Sequence, residues 1–181
     1  MHELIPKYYY FINKLDIEEI KDLNNKIALI YRNYQDKPDI TKIKIFFDFC
    51  KKKKIKFLIS NHFDIAFKLS LDGLYIPSFN KSFFHKRIYS KNFIIAGSAH
   101  NVKEIKIKEK QNVNLIFLSP IFKIKKSNYV LDIARFNILS KFSKKRIIAL
   151  GGIKTSNFKK LKMTSAFGFS GISHIKKIIN N

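Results

Sequence analysis

Short, continuously apolar runs alternate along the chain with longer stretches in which apolar residues recur at helical spacing. An uninterrupted apolar run predicts a strand whose two faces are both buried, as in a parallel sheet covered by helices. The runs that we predict as strands are Tyr8–Asn13, Lys26–Tyr31, Ile55–Ile59, Gly73–Ile76, Phe93–Ala96, Val113–Leu118, Ile147–Leu150 and Ala166–Ser170. The stretches predicted as helices are Ile17–Leu23, Ile40–Lys53, a segment ending at Leu69, Val102–Lys110, Ile133–Phe142, Phe158–Met163 and Ile172–Ile179.

This alternation predicts the fold class. Eight strands that alternate with helices indicate an α/β protein, a single (β/α)8 TIM barrel in which residues 1–181 form one domain. The chain has 181 residues, whereas such barrels usually have about 250, so we expect short helices. An open doubly wound sheet usually has a glycine-rich turn after its first strand. The residues at that place, Asn13-Lys14-Leu15-Asp16, contain no glycine, which favours the barrel.

The seventh apolar run ends at Gly151 and Gly152, which are followed by Thr155 and Ser156. Glycines let a ligand approach backbone N–H groups, and a serine or threonine cap would begin a helix beside them. Because helix N-termini favour anions, the turn predicts a phosphate site, although an ordinary strand-to-helix turn has the same pattern. A similar turn, Gly171-Ile172-Ser173, follows the eighth run. Barrel enzymes often bind phosphate after strands seven and eight, which favours the phosphate interpretation.

Polar residues follow several of the other predicted strands. Arg32 follows the second strand, and its guanidinium suits two oxygens of a diphosphate, although an ordinary surface arginine fits the spacing equally well. Asn61 follows the third strand, and Ser98 and His100 follow the fifth. A lone histidine such as His100 is more often a structural residue than a functional one. Because functional groups collect at the carboxyl ends of barrel strands, all four are candidates for a site.

Composition and charge narrow the class of protein. Lys and Arg number 36 against 13 Asp and Glu, a formal net charge of +23. The lysines are scattered and match no nucleic-acid-binding motif, so solvated helix faces account for most of them, and nucleic acid is not an expected partner. The apolar runs are too short to span a membrane, and the single cysteine, Cys50, excludes an internal disulfide. We expect a cytoplasmic protein without a membrane partner, and a homo-oligomer is left open.

Six segments of the chain, in this order, resemble the thiamine-phosphate synthase and TenI family. They are Ile59–Ala66, Asp72–Ile76, Gly97–His100, Ser119–Phe122, Ala149–Ile153 and Gly171–Ser173. Each segment is short, but their order and spacing from about Lys26 onwards are similar to those of the family. The resemblance implies a (β/α) barrel, in agreement with the pattern of strands and helices.

The resemblance also implies a transferase of thiamine biosynthesis. Such an enzyme joins hydroxymethylpyrimidine diphosphate to thiazole phosphate and releases pyrophosphate. In the family, Mg²⁺ and basic groups stabilise the departing pyrophosphate, and the thiazole nitrogen captures a pyrimidine carbocation. By position, Arg32 and Ser98 would be catalytic residues that face the pyrophosphate. The residues that would bind the thiazole phosphate are Gly151, Gly152, Ile172 and Ser173.

The chain departs from the family pattern in the half of the site that would bind pyrophosphate. Family synthases carry a glutamine and a lysine on either side of the arginine, where this chain has Ile30 and Tyr34. The two magnesium carboxylates are replaced by Asn61 and Asn80. Magnesium prefers anionic oxygen ligands, so two amides offer it little. Mg²⁺ is therefore expected as a cofactor only if the synthase reaction is retained.

The loop after the sixth strand also differs from the family. Its Pro-Thr-x-Thr-Lys pattern is replaced by Lys123-Ile124-Lys125-Lys126-Ser127. We hypothesise that Lys123, Lys125 and Lys126 supply part of the missing positive charge.

Two alternatives to the synthase stay open. TenI-type thiazole tautomerases also lack the magnesium carboxylates, but Pro120 stands at the position of their acid/base histidine, and proline cannot transfer a proton. His100 is the nearby substitute. The other alternative is a non-catalytic homologue that binds thiazole phosphate. Small phosphorylated substrates are the expected partners of an active enzyme.

Overall fold

The structure, a computed structural model, describes residues 5–83, 92–125 and 128–171. Each parallel strand pairs with the next along the chain, and the last pairs with the first to close a barrel. The strands are β1 Tyr8–Ile12, β2 Ile27–Tyr31, β3 Phe57–Ser60, β4 Gly73–Ile76, β5 Ile94–Ala99, β6 Leu115–Leu118, β7 Arg146–Leu150 and β8 Gly168–Gly171. The helices are α1 Ile17–Ile20, α2 Ile40–Lys52, α3 Phe63–Lys68, α4 Val102–Lys110, α5 Asp132–Ser140 and a 3₁₀ helix at Phe158–Met163.

The predicted TIM barrel with short helices is confirmed, and the differences lie at the ends of elements. Strand β5 continues to Ala99, so Ser98 lies inside a strand and not after it. Helix α1 ends at Ile20, earlier than predicted. The predicted helix Ile172–Ile179 lies outside the described residues. That the whole chain forms one domain stays a prediction.

Side chains at two helix starts explain where α2 and α4 begin. At α2 the Asp39 carboxylate accepts a hydrogen bond of 3.0 Å from the N–H of Lys42. At α4 the Asn101 carbonyl oxygen accepts one of 2.9 Å from the N–H of Glu104. The Glu104 carboxylate in turn accepts one of 2.8 Å from the N–H of His100. These reciprocal bonds resemble a capping box, and they fix the end of β5 against α4.

Helix α2 illustrates how the helices cover the barrel. Four of its residues, Ile43, Phe46, Phe47 and Cys50, are buried and lie on one face at helical spacing. Phe46 and Phe47 pack against Phe57 of β3, with ring centroids 5.4 and 6.1 Å apart. With 13 residues α2 is the longest helix in the described part of the chain. No helix there has the length and apolar character needed to cross a membrane.

Aromatic side chains fill the interior of the barrel. Tyr9 and Phe11 of β1, Tyr75 of β4 and Phe117 of β6 point inwards and are buried. The rings of Phe11 and Tyr75 are 5.2 Å apart, and those of Tyr75 and Phe117 are 5.4 Å apart, both edge to face. This geometry is favourable for aromatic pairs and leaves a packed core under the site.

Gly168 is required for barrel closure between β8 and β1. A Cβ at this position would overlap the carbonyl oxygen of Lys7, a backbone atom that cannot move without opening the pair of strands. We expect Gly168→Ala to lower the free energy of unfolding by about 3 kcal/mol, measured by urea denaturation. The matched control is Gly97→Ala, whose new Cβ would meet only the side chains of Lys108 and Val113. Because side chains can move, the expected loss is about 1 kcal/mol, and equal losses would contradict the prediction.

Candidate functional site

The carboxyl ends of the strands form the mouth of the barrel, where the structure brings several predicted site residues together. Arg32 and Ser98 both interact with the Tyr75 hydroxyl. Asn61 and Asn80 lie beside one another and share a hydrogen bond. We call Arg32, Tyr75 and Ser98 the central cluster, and Asn61 with Asn80 the amide pair.

Arg32 is held at the mouth by its backbone and by an aromatic ring. Its N–H donates a hydrogen bond of 2.8 Å to the carbonyl oxygen of Ile12, the last residue of β1. Its guanidinium lies 4.8 Å from the centroid of the Phe11 ring, a favourable cation–π distance. Within residues 5–83, 92–125 and 128–171, no carboxylate forms an ion pair with it. The positive charge is therefore available to an anionic ligand.

Tyr75 and Ser98 form the buried part of the central cluster. Burial raises the pKa of Tyr75 to about 12, against the opposing effects of a hydrogen bond with Ser98 and the charge of Arg32. The phenol therefore stays protonated at neutral pH and is a hydrogen-bond donor. The sequence analysis missed Tyr75 as a site residue, because it lies within an apolar run that predicts only a strand. Tyr75 also lies in the segment Asp72–Ile76 that resembles the family, but the resemblance assigned it no role.

The amide pair stands where the family would place magnesium ligands. The Asn80 side-chain N–H donates to the Asn61 side-chain oxygen at 2.6 Å. Asn61 has a left-handed backbone, with φ of 62°, a conformation that asparagine tolerates well. The described residues contain no cluster of three histidine, cysteine or acidic side chains suited to a metal. Two neutral amides that satisfy each other do not fit a magnesium site of the carboxylate type.

An aromatic pair, Tyr34 and Phe79, lies next to the amide pair. The two rings pack edge to face with centroids 5.7 Å apart, and both side chains are about half exposed or more, at 50% and 63%. The Tyr34 hydroxyl lies 2.8 Å from the Ser60 hydroxyl at the end of β3. This wall of the mouth therefore exposes two aromatic rings.

His100 is oriented by a neighbouring strand. Its Nδ1 lies 2.8 Å from the carbonyl oxygen of Ser119, and a carbonyl only accepts, so Nδ1 carries the proton. Nε2 of the neutral ring is therefore an acceptor. The role of His100 in chemistry stays a prediction.

The chain turns after β7 as predicted, but the predicted helix cap at Thr155 or Ser156 is wrong. Gly151 and Gly152 have positive φ angles of 96° and 70°. Neither Thr155 nor Ser156 caps a helix, because Asn157 closes the turn: its side chain accepts from the Lys154 N–H and donates to the Gly152 carbonyl, both at 2.8 Å. The helix that follows Gly151 and Gly152 is a short 3₁₀ helix, so this turn does not lie at the N-terminus of an α-helix.

The two glycines also have a role that differs from the predicted one. A Cβ at Gly151 would lie 2.8 Å from the Pro120 Cβ, and a Cβ at Gly152 would lie 2.5 Å from the Phe122 carbonyl oxygen. The space beside them is thus occupied by the loop after β6. In the described part of the chain, no backbone carbonyl accepts a hydrogen bond from either glycine N–H. These two N–H groups are what the turn offers to a phosphate.

The remaining predicted residues are placed in part. Lys123 and Lys125 are exposed on the loop after β6. Lys123 lines a cavity of about 400 Å³ between this loop, the start of α5 and Lys160. The predicted residues that lie outside the described part of the chain are Lys126, Ile172 and Ser173.

Comparisons with known proteins point to one family. The family model described as thiamine monophosphate synthase matches residues 23–175. A putative thiamine-phosphate synthase 2 from Aquifex aeolicus is 38% identical over 128 residues, which are 68% of this chain and 67% of that one. A thiamine-phosphate synthase from Pelagibacter ubique is 28% identical over 179 residues, covering 91% and 86% of the two chains. The solved thiamine phosphate pyrophosphorylase from Pyrococcus furiosus superposes with a TM-score of 0.71 at 18% identity, covering 93% of this chain and 85% of that one. At that identity the superposition shows the fold alone.

Proposed function

Because this chain belongs to the thiamine monophosphate synthase family, we propose that it joins a hydroxymethylpyrimidine diphosphate to a thiazole phosphate. The role in thiamine biosynthesis follows from the family, whose model matches residues 23–175. The observation that carries the proposal is the guanidinium of Arg32, which no carboxylate of the described residues pairs with, near Tyr75 and Ser98 at the mouth of the barrel. A cation and two hydroxyl groups at one point suit a leaving diphosphate.

The proposed reaction divides the mouth into two half-sites. The bond between the pyrimidine methylene carbon and the diphosphate oxygen breaks, and the electron pair leaves with the diphosphate. The thiazole nitrogen then donates its lone pair to the methylene carbon and forms the new C–N bond. Arg32 stabilises the charge that develops on the diphosphate, and Ser98 is held beside Arg32 by its hydrogen bond with the Tyr75 hydroxyl.

We propose the turn at Gly151 and Gly152 as the thiazole-phosphate half-site. The support is the pair of N–H groups that no described backbone carbonyl accepts, held by the Asn157 side chain. Successive N–H groups of this kind bind anions. Ile172 and Ser173 belong to this half-site by resemblance alone.

Magnesium is given no step in this mechanism, because the amide pair does not fit it. If the two amides are what prevents Mg²⁺ binding, the double variant Asn61→Asp and Asn80→Asp will bind Mg²⁺ at least about tenfold more tightly than the unchanged chain. Carboxylates are the preferred ligands of Mg²⁺. The measurement is calorimetric titration of each protein with Mg²⁺. Equal affinities would mean that these positions do not form a metal site.

The lysines after β6 are proposed to supply positive charge instead. Replacing Lys123, Lys125 and Lys126 together by alanine is expected to weaken pyrophosphate binding about threefold to tenfold, because exposed charges act through a screened field. The loss will be larger at low ionic strength. A pyrophosphate affinity that is the same with and without the three lysines would contradict this part of the proposal.

Tautomerase activity is not favoured by the site. Pro120 occupies the position of the tautomerase histidine, and it packs against Gly151. His100, the nearby substitute, is anchored to the Ser119 carbonyl through Nδ1, so Nε2 is its nitrogen for proton exchange.

Calorimetric titration tests the two half-sites separately. We expect saturable binding of thiazole phosphate and of inorganic pyrophosphate, each to one site per chain and each without displacement of the other. Binding of thiazole phosphate alone would leave a phosphate-binding homologue without transfer activity. Binding of neither would contradict the proposed function.

A further inference from the structure

A fully buried lysine on the outer layer of the barrel has no role in the half-sites described above. Lys108 lies on α4 and is 0% exposed. Its ammonium donates to the Pro77 carbonyl at 2.7 Å, the Asn80 carbonyl at 2.8 Å and the Gln111 side-chain oxygen at 2.9 Å. An ammonium has three protons, so all of them are used.

Gln111 completes the same arrangement. Its side-chain N–H groups donate to the Asn80 carbonyl at 3.1 Å and to the Ser82 carbonyl at 2.8 Å. Lys108 and Gln111 together therefore hold the loop after β4 at three carbonyls, those of Pro77, Asn80 and Ser82. We call this loop, Pro77 to Ser82, the β4 loop.

The buried ammonium of Lys108 occupies space that an apolar side chain would fill more favourably. Burying an ammonium is strongly unfavourable unless every proton finds an acceptor, whereas an aliphatic side chain would fill the same space without that cost. Burial lowers the pKa of Lys108 to about 8, so the ammonium form still predominates at neutral pH. Gly97 on β5 leaves space for the Lys108 side chain, since a Cβ there would lie 2.8 Å from the Lys108 Cδ. Packing alone does not explain a buried ammonium, so its role is to be sought in the loop that it binds.

Lys108 holds the β4 loop, which forms one wall of the mouth. The β4 loop carries Asn80, whose side chain bonds Asn61 at 2.6 Å, and Phe79, which packs against Tyr34. Without the ammonium, the Pro77 and Asn80 carbonyls would each lose a donor from α4, and the loop would lose its fixed distance from that helix.

We propose that Lys108, with Gln111, is a positioning residue that holds the β4 loop and thereby shapes the pyrophosphate half-site. Lys108 touches no substrate and acts through Asn80 and Phe79. The proposal rests on the proposed function, because it assigns the β4 loop to the diphosphate and not to the thiazole phosphate, which lies at the turn after β7. It therefore predicts an effect that is selective for one ligand.

The test compares two ligands in two variants. Lys108→Met keeps the length of the side chain but removes the charge, and it is expected to weaken inorganic pyrophosphate binding at least about tenfold, since small misplacements of binding groups have large effects. Thiazole phosphate affinity will stay within about twofold, and the KM for the pyrimidine diphosphate will rise while that for thiazole phosphate does not. The control is Lys110→Met, an exposed lysine of the same helix, which should change neither affinity.

A second variant covers poor folding of Lys108→Met. Gln111→Glu keeps an acceptor for Lys108 but cannot donate to the Asn80 and Ser82 carbonyls, so it should show the same selectivity at smaller size. Equal losses for both ligands, or unchanged pyrophosphate binding, would overturn the inference. Absence of pyrophosphate binding by the unchanged chain would also overturn it, together with the half-site. A chain that binds pyrophosphate with this selectivity but forms no product would instead refute only the proposed function.

Discussion

Arg32→Ala is expected to lower kcat/KM for the pyrimidine diphosphate by about 10² to 10³-fold, the usual cost of removing one group that stabilises charge in a transition state. The reason is that Arg32 is the cation of the central cluster, and no carboxylate in the described part of the chain neutralises it. The measurement is the initial rate of thiamine phosphate formation at varied pyrimidine diphosphate. Thiazole phosphate affinity should not change, because its half-site lies at the turn after β7.

Two further variants separate the chemistry of Arg32 from its charge. Arg32→Lys keeps the charge but loses the planar, two-pronged geometry, so it should recover only part of the activity. Arg135→Ala removes an exposed arginine on α5 and should leave the rate unchanged. A rate that falls equally in Arg32→Ala and Arg135→Ala would show that net charge matters and that the cluster does not.

Gly152→Ala is expected to weaken thiazole phosphate binding by about 10²-fold, since it displaces the binding groups of a fitted turn. The residue has φ of 70°, and a Cβ would lie 2.5 Å from the Phe122 carbonyl oxygen and 2.7 Å from that of Lys123. Both neighbours are backbone atoms, so the turn must change shape and its N–H groups must move. Calorimetric titration with thiazole phosphate measures the effect.

The control for this prediction comes from the corrected helix cap. Ser156 is exposed and caps no helix, so Ser156→Ala should bind thiazole phosphate as the unchanged chain does. Pyrophosphate affinity should be retained in both variants. Normal thiazole phosphate binding by Gly152→Ala would place the phosphate elsewhere.

The fold could be predicted from the sequence because most of the strands lie within continuous apolar runs. The run Gly73–Ile76 coincides with β4, and Val102–Lys110 coincides with α4. The family could be predicted because six short segments have its order and spacing, and the match over residues 23–175 confirms it. Element ends were harder, since Gly97, Ser98 and Ala99 extend β5 through backbone pairing with β6, which sequence alone does not reveal.

The site was predicted less completely, for physical reasons that depend on distant contacts. Asn61 and Asn80 were identified together because both replace family carboxylates, and they do meet. Thr155 and Ser156 have side chains that can cap a helix, but the side chain that forms the hydrogen bonds of this turn is that of Asn157. Lys108 has the spacing of any exposed helix lysine. Its role depends on the carbonyls of Pro77 and Asn80, about thirty residues away in the chain, whose approach no local pattern indicates.

The measurement that tests the central claim most directly is a turnover assay with both family substrates and Mg²⁺, following thiamine phosphate and pyrophosphate together. The account predicts that the two products appear in equal amounts, that both substrates are required, and that Arg32→Ala nearly abolishes the rate. Saturable binding of thiazole phosphate without any thiamine phosphate would contradict it, and would identify a barrel that binds the phosphate but does not carry out the transfer.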